Sequence, residues 1–238
     1  MMTFVVLFVG AFVAAAVSGA AGFGGALLLL PLLVYAVGPV LAVPLLTIAQ
    51  LVGNVSRVGF GFRQIRWRPV GLFLLGAIPL SVVGAFSFLA LSPPLVKRVI
   101  GVMILLYAVL AYMKVLTFTP GSRALILGGG LVGFLSGLVG SAGPLGAAIF
   151  LSLKLHPVAY IASEATTALV MHGVKTLIYQ RSLHLDARFW ELAFVLGLAM
   201  IAGTWIGKRF IERMTPERFQ RFVLGLLVTI ALYMVIAG

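Results

Sequence analysis

The chain is 238 residues long, 62% hydrophobic and only 9% charged, and it contains no cysteine. A soluble domain is about one quarter charged, so this balance excludes an ordinary aqueous globule, and the missing cysteine excludes disulfides, iron–sulfur clusters and thiol catalysis. The net charge of +12 does not signal nucleic acid: Arg63, Arg66 and Arg68, like Lys208, Arg209 and Arg213, fill short gaps between apolar runs, the pattern of basic cytoplasmic loops.

In chain order, residues 2–21 end in small residues as a signal peptide does. They lack a basic leading region, and the apolar pattern runs on past Ala21, so a retained first helix is expected. Further helical pieces are predicted at 23–37, 40–62, 69–90 and 94–115, then at 123–139, 143–154, 157–180, 187–207 and 216–237. A crossing of a ~30 Å hydrocarbon core takes roughly 20 apolar residues, which the longer pieces supply. The first two pieces of each half are short and meet at a glycine cluster, GAAGFGG in one and GLVGSAG in the other. One straight helix over residues 2–37 would be about 54 Å long, so the chain must double back there, either as a re-entrant hairpin or as two full crossings. Trp67 and Trp190 stand beside basic residues at helix ends and read as interfacial anchors.

The two halves are related. Ser18 and Gly19 match Ser136 and Gly137, Gly22 matches Gly140, and Gly25 matches Gly143. At the same offset Pro39 meets Pro157, Asn54 meets His172, Arg57 meets Lys175, and Arg63 meets Arg181. Residues 1–118 and 119–238 are therefore read as two copies of one unit, a common plan for secondary transporters. Doubling back near residue 22 leaves an odd number of reversals in the first copy, which inverts the second. Inversion also gathers most basic residues on one side, whereas parallel copies would divide them evenly against the positive-inside bias. The expected fold is an all-α polytopic membrane protein of two inverted repeats, each of about five helical segments. Its basic loops would be cytoplasmic and both termini outside.

The polar residues inside these apolar stretches are the candidate site. Gly22, Gly24 and Gly25 break the first apolar run, and Ser141 and Gly143 break the second. A helix that starts after such a break presents unpaired N–H groups and a positive dipole end, which suits an anion. Gln50, Asn54 and Arg57 lie at i, i+4 and i+7, one polar stripe on an apolar helix. Glu164, His172 and Lys175 form a similar stripe in the second half. Ionisable groups at membrane depth face a cavity or a partner. The equivalent Asn54 and His172 are expected to line the substrate path near the midplane. Arg57 and Lys175 either add positive charge to that cavity or snorkel to the interface. Glu164 is a proton-coupling candidate, or else the partner of His172 or Lys175. Ser18, Ser136, Ser141, Thr47, Thr166 and Thr167 are further possible donors, although most buried serines and threonines in such helices bond their own backbone.

The duplicated opening, SGAAGFGGALLLLPLL and then SGLVGSAGPLGAAI, resembles the TauE/SafE family of sulfite-exporter-like permeases over essentially the whole chain. The second copy departs from the pattern, with Ala142 in the break and Ile149 where the first copy has Pro31. The resemblance implies a bacterial-type inner-membrane transporter of small sulfur-containing anions such as sulfite, sulfoacetate or related sulfonates, often in the export direction, with the termini then periplasmic. No cofactor or metal is expected. The expected partners are the anionic substrate and the lipid bilayer, with a homodimer left open. A passive anion channel and a non-transporting assembly partner are the competing membrane readings. An intramembrane enzyme is disfavoured because the sequence offers no H-E-x-x-H pattern and no acidic pair.

Overall fold

Hydrocarbon offers no partner to a backbone N–H or C=O, so an apolar chain of this composition satisfies its backbone within helices. The computed structural model describes residues 2–21, 25–96, 98, 99, 102, 120–211, 213–215, 218 and 221. Among them the regular elements are helical and there is no strand. The helices are α1 (Met2–Ala21), α2 (Gly25–Gly61), α3 (Trp67–Ala90), α4 (Ser122–Val139), α5 (Gly143–Leu151), α6 (Pro157–Ser182) and α7 (Ala187–Ile211). These boundaries lie close to the expected pieces. The expected pieces at 94–115 and 216–237 lie largely outside the described residues, as do Gly22 and Gly24.

Among the described residues, two glycine-marked interruptions break the helical frame. Helix α2 is bent at Gly38, whose φ of 78° and ψ of 163° are non-helical. Only glycine adopts such a backbone without strain, and Pro39 removes the N–H that a continuing helix would need. The second interruption comes after α4, whose C-cap Gly140 is left-handed at φ 88°. Helix α5 then starts at Gly143, with Pro144 in its first turn. At nine residues, α5 is about 14 Å long, less than half of a bilayer core.

Among the described residues, four helical stretches are long and apolar enough to cross a membrane: Leu28–Gln64, Trp67–Ala90, Ser122–Val139 and Ala187–Arg209. Their outer faces are apolar too, with Leu127 75% and Phe194 67% exposed, a surface suited to lipid tails rather than water. Trp67 and Trp190 are exposed at helix starts, where the sequence expected anchors. Lys208 sits over the Trp205 ring at 4.5 Å and the Phe60 ring at 5.2 Å.

Helix α3 lies along α4, α1 along α7, and α2 along α6. The approach of α3 to α4 is so close that a methyl group at Gly129 would overlap the Phe73 carbonyl, and one at Gly133 that of Ala77. Small residues let backbones meet in this way, which is how helices associate where apolar burial gives no driving force. Helix α6 takes the centre. It is buried continuously from Pro157 to Ala168 and again at Met171, His172, Lys175 and Tyr179. Among the described helices, the one that carries Glu164, His172 and Lys175 is thus deeply screened by its neighbours.

Candidate functional site

The second arm of α2 and the middle of α6 face each other across a small buried cavity. Gln50, Asn54 and Arg57 reach it from α2, and Glu164, Thr167 and His172 from α6. Ser18 of α1, Ser136 of α4, and Ser141 and Gly143 of the α4–α5 interruption complete its polar wall, with Gly25 at the start of α2. Phe73, Val132 and Met171 supply apolar wall that sequence periodicity reads only as core. The space open to the centre of a water molecule is about 20 Å³, enough for about one water.

Three of the groups form one cluster. The Arg57 Nη1 donates to Glu164 Oε2 at 3.4 Å, and its Nη2 donates to Asn54 Oδ1. Both charged side chains are almost fully buried, 3% and 5% exposed. Because Asn54 spends its oxygen on Arg57, its Nδ2 is left as a donor, and that donor has no partner. Gln50 Nε2 and His172 Nδ1 are likewise buried without a partner. A buried unpaired donor costs about 1–3 kcal/mol. Two such amide donors and the unpartnered His172 ring nitrogen belong to residues that line one cavity.

The candidates do not all meet there. Arg57 and Lys175 both stay inside rather than snorkelling. Glu164 pairs with Arg57 from the other half of the chain, not with His172 or Lys175 on its own helix. Lys175 is not among the cavity-lining residues. Its Nζ donates to Ser136 O at 3.0 Å, Ser136 Oγ at 2.8 Å and Gly140 O at 2.7 Å, which commits all three protons to the C-terminal end of α4. Those carbonyls are the acceptors a helix end leaves unsatisfied, and a cation suits that end of the dipole. Tyr179, one turn further along α6, donates to Gly137 O at 2.9 Å and extends the same clip.

The α5 N-terminus also differs from the expectation of free N–H groups. The Gly143 N–H donates to Ser141 Oγ at 3.3 Å, Pro144 has none to give, and Leu145 and Gly146 donate to Ala142 O. What α5 offers the cavity is its dipole end and small residues, not unpaired donors. As expected, the threonines bond their own helices: Thr47 to Val43 O, Thr166 to Ala162 O, and Thr167 to Glu164 O. Ser136, a possible donor from the sequence, also accepts from Lys175 through its hydroxyl, and Tyr179 acquires a role the sequence did not suggest. For Tyr179 the signal was its spacing of four from Lys175, on the same face of α6.

A comparison with known families decides the class. The family described as sulfite exporter TauE/SafE matches residues 7–234. The chain belongs to the sulfite exporter TauE/SafE family. This membership makes it a membrane transporter and not an enzyme. The chain is 26% identical over 198 residues to the probable sulfite/organosulfonate exporter TauE of Cupriavidus necator, covering 79% of this chain and 77% of the relative. No solved structure matches the chain. For a TauE/SafE protein, a buried polar cavity with a guanidinium and unpaired amide donors has the chemistry of an oxyanion site.

Proposed function

We propose that the protein is a secondary transporter that exports small sulfur-containing anions, in the class of sulfite, sulfoacetate and related sulfonates. The substrate binds in the cavity between α2 and α6. The observation that carries this reading is the donor set: Gln50 Nε2 and Asn54 Nδ2, both without partners, beside the Arg57 guanidinium in a buried cavity. Oxyanion oxygens are acceptors only, so they satisfy such donors and leave no new unpaired group. His172 completes the wall opposite, and its Nδ1 donates once protonated or in the matching tautomer.

In this reading residues 1–118 and 119–238 are inverted repeats, and α2 and α6 are their equivalent helices. Supporting it, the helix neighbours are reciprocal: α1 lies on α7 as α4 lies on α3, each the opening helix of one half against the fourth segment of the other. The short first arm of α2 and the nine-residue α5 correspond as the broken elements. A cavity with room for about one water fits an occluded state of an alternating-access cycle better than the open path of a channel. Basic loops in the cytoplasm and termini on the opposite side are read from the charge distribution, and an inner-membrane location from the family.

Uptake and efflux of labelled sulfite and sulfoacetate in proteoliposomes test the reading. Wild type is expected to move at least one of them, and Asn54→Ala and His172→Ala to lose most of that flux while still folding. Failure of the wild type to move either anion under any imposed gradient would remove the substrate class.

A further inference from the structure

The cavity has room for about one water, so an anion with three oxygens on sulfur does not fit beside the side chains as they stand. Something must move aside. Glu164 is the group placed to do so, because its carboxylate already sits where an anion would go, against Arg57 Nη1 on the cavity wall. We propose that Glu164 is a tethered competitor for the substrate at Arg57, so that an anion binds only when Glu164 takes up a proton. This rests on the transport reading above and adds its coupling: one proton accompanies each anion, in the same direction.

The reason lies in the charge of the occluded site. Arg57 is the cation in the cavity, and Glu164 is the one carboxylate lining it among the described residues. From its own helix, Tyr160 and His172 are the other titratable groups near Glu164, while Lys175 is turned to the α4 carbonyls. The residues that α1, α3, α4 and α5 bring to the cavity are uncharged, as in Ser18, Phe73, Ser136 and Gly146. Arg57 with ionised Glu164 is then balanced, and so is Arg57 with a bound monoanion and protonated Glu164. The other two combinations, both partners ionised with the anion present or neither present, leave an uncompensated buried charge. Such a charge is expensive in a low-dielectric interior and hinders any step that seals the site from water. Only the two balanced forms pass freely between the two sides of the membrane. On loading, the O–H bond forms on a Glu164 oxygen with a proton from water on that side. On release the bond breaks, the proton returns to water on the other side, and the carboxylate goes back to Arg57.

The test uses the full chain in proteoliposomes with a trapped pH-reporting dye and labelled methanesulfonate, which stays monoanionic over the working pH range. Labelled sulfite is run alongside. Wild type is expected to move one proton per methanesulfonate, to be indifferent to a potassium–valinomycin potential, and to lose flux roughly tenfold per pH unit on the alkaline side. Glu164→Gln is expected to exchange anion for anion without a proton and without pH dependence, while its net flux becomes slow and sensitive to the potential, because its empty form leaves the Arg57 charge uncompensated. Glu164→Asp keeps a carboxyl and is expected to keep proton movement. Wild-type flux that is potential-driven and proton-free overturns the inference without any variant. So does a folded Glu164→Gln that still moves protons with the anion, and in both cases the transport reading survives. Wild type that moves neither probe, while folded, overturns the transport reading and this inference together.

Discussion

Arg57 and Lys175, which match in the proposed repeat, are both buried, yet the chain treats them in opposite ways. Lys175 is held by two backbone carbonyls and a serine hydroxyl at the end of α4, none of which changes charge. Arg57 is held in part by a carboxylate, which does. A cation tied to fixed dipoles can only brace the structure. One tied to a titratable, displaceable group can switch. In the proposed reading, Lys175 fixes a helix interruption and Arg57 handles the ligand.

The sharpest way to break this comparison is Arg57→Ala. Removing one partner of a buried ion pair leaves the other charge stranded, at a cost of about 3–5 kcal/mol. Thermal melting in detergent is expected to report a large loss of stability, and transport is expected to vanish. Adding Glu164→Gln to the same chain should restore much of the stability and none of the transport. Restored transport in the double variant would show that Arg57 holds Glu164 and nothing else.

Lys175→Met comes next. It keeps most of the stem but strands the Ser136 and Gly140 carbonyls, at about 1–3 kcal/mol for each group left unsatisfied. Stability is expected to fall clearly, while the affinity of the folded fraction for anion, measured by equilibrium binding, changes little. A large drop in affinity at normal stability would put Lys175 back among the binding groups.

Gln50→Met should do the reverse. It removes an unpaired buried donor, so the empty protein is expected to gain slightly in stability. The anion then loses one hydrogen bond to a charged acceptor, about 1.5–3 kcal/mol, or roughly 10- to 100-fold in affinity. Equal losses of stability and affinity would mean that Gln50 is a packing residue.

Much of this was legible in the residues, for identifiable reasons. The stripe of Gln50, Asn54 and Arg57 stood out because helical spacing puts them on one face of an otherwise apolar helix, and all three line the cavity. The interruption at Gly140 was announced by its glycine, and the starts of the second arm of α2 and of α6 by Pro39 and Pro157. The partner of Glu164 was not legible. Arg57 lies 107 residues away, and only the register in which α2 crosses α6 decides whether it, His172 or Lys175 is reached. The role of Lys175 was hidden for another reason. Its main acceptors are backbone carbonyls, which every residue carries and which no motif can single out.

Tyr179→Phe is the mildest probe of the same contrast. The hydroxyl donates one hydrogen bond to the Gly137 carbonyl, while the ring packs edge-on against Phe88 at 5.5 Å and is kept by the substitution. Only the bond is lost, so the expected cost is about 1 kcal/mol. That is small against Lys175→Met, but it falls on the same stretch of α4. If Lys175 and Tyr179 form a single clip, the double variant should lose more or less than the sum of the two, because each bond holds α4 in place for the other. Simple additivity in a melting cycle would mean that the α4 terminus is already rigid without them. The brace would then lie in the close approach of α3 at Gly129 and Gly133, and Lys175 would be satisfied by α4 without being what positions it.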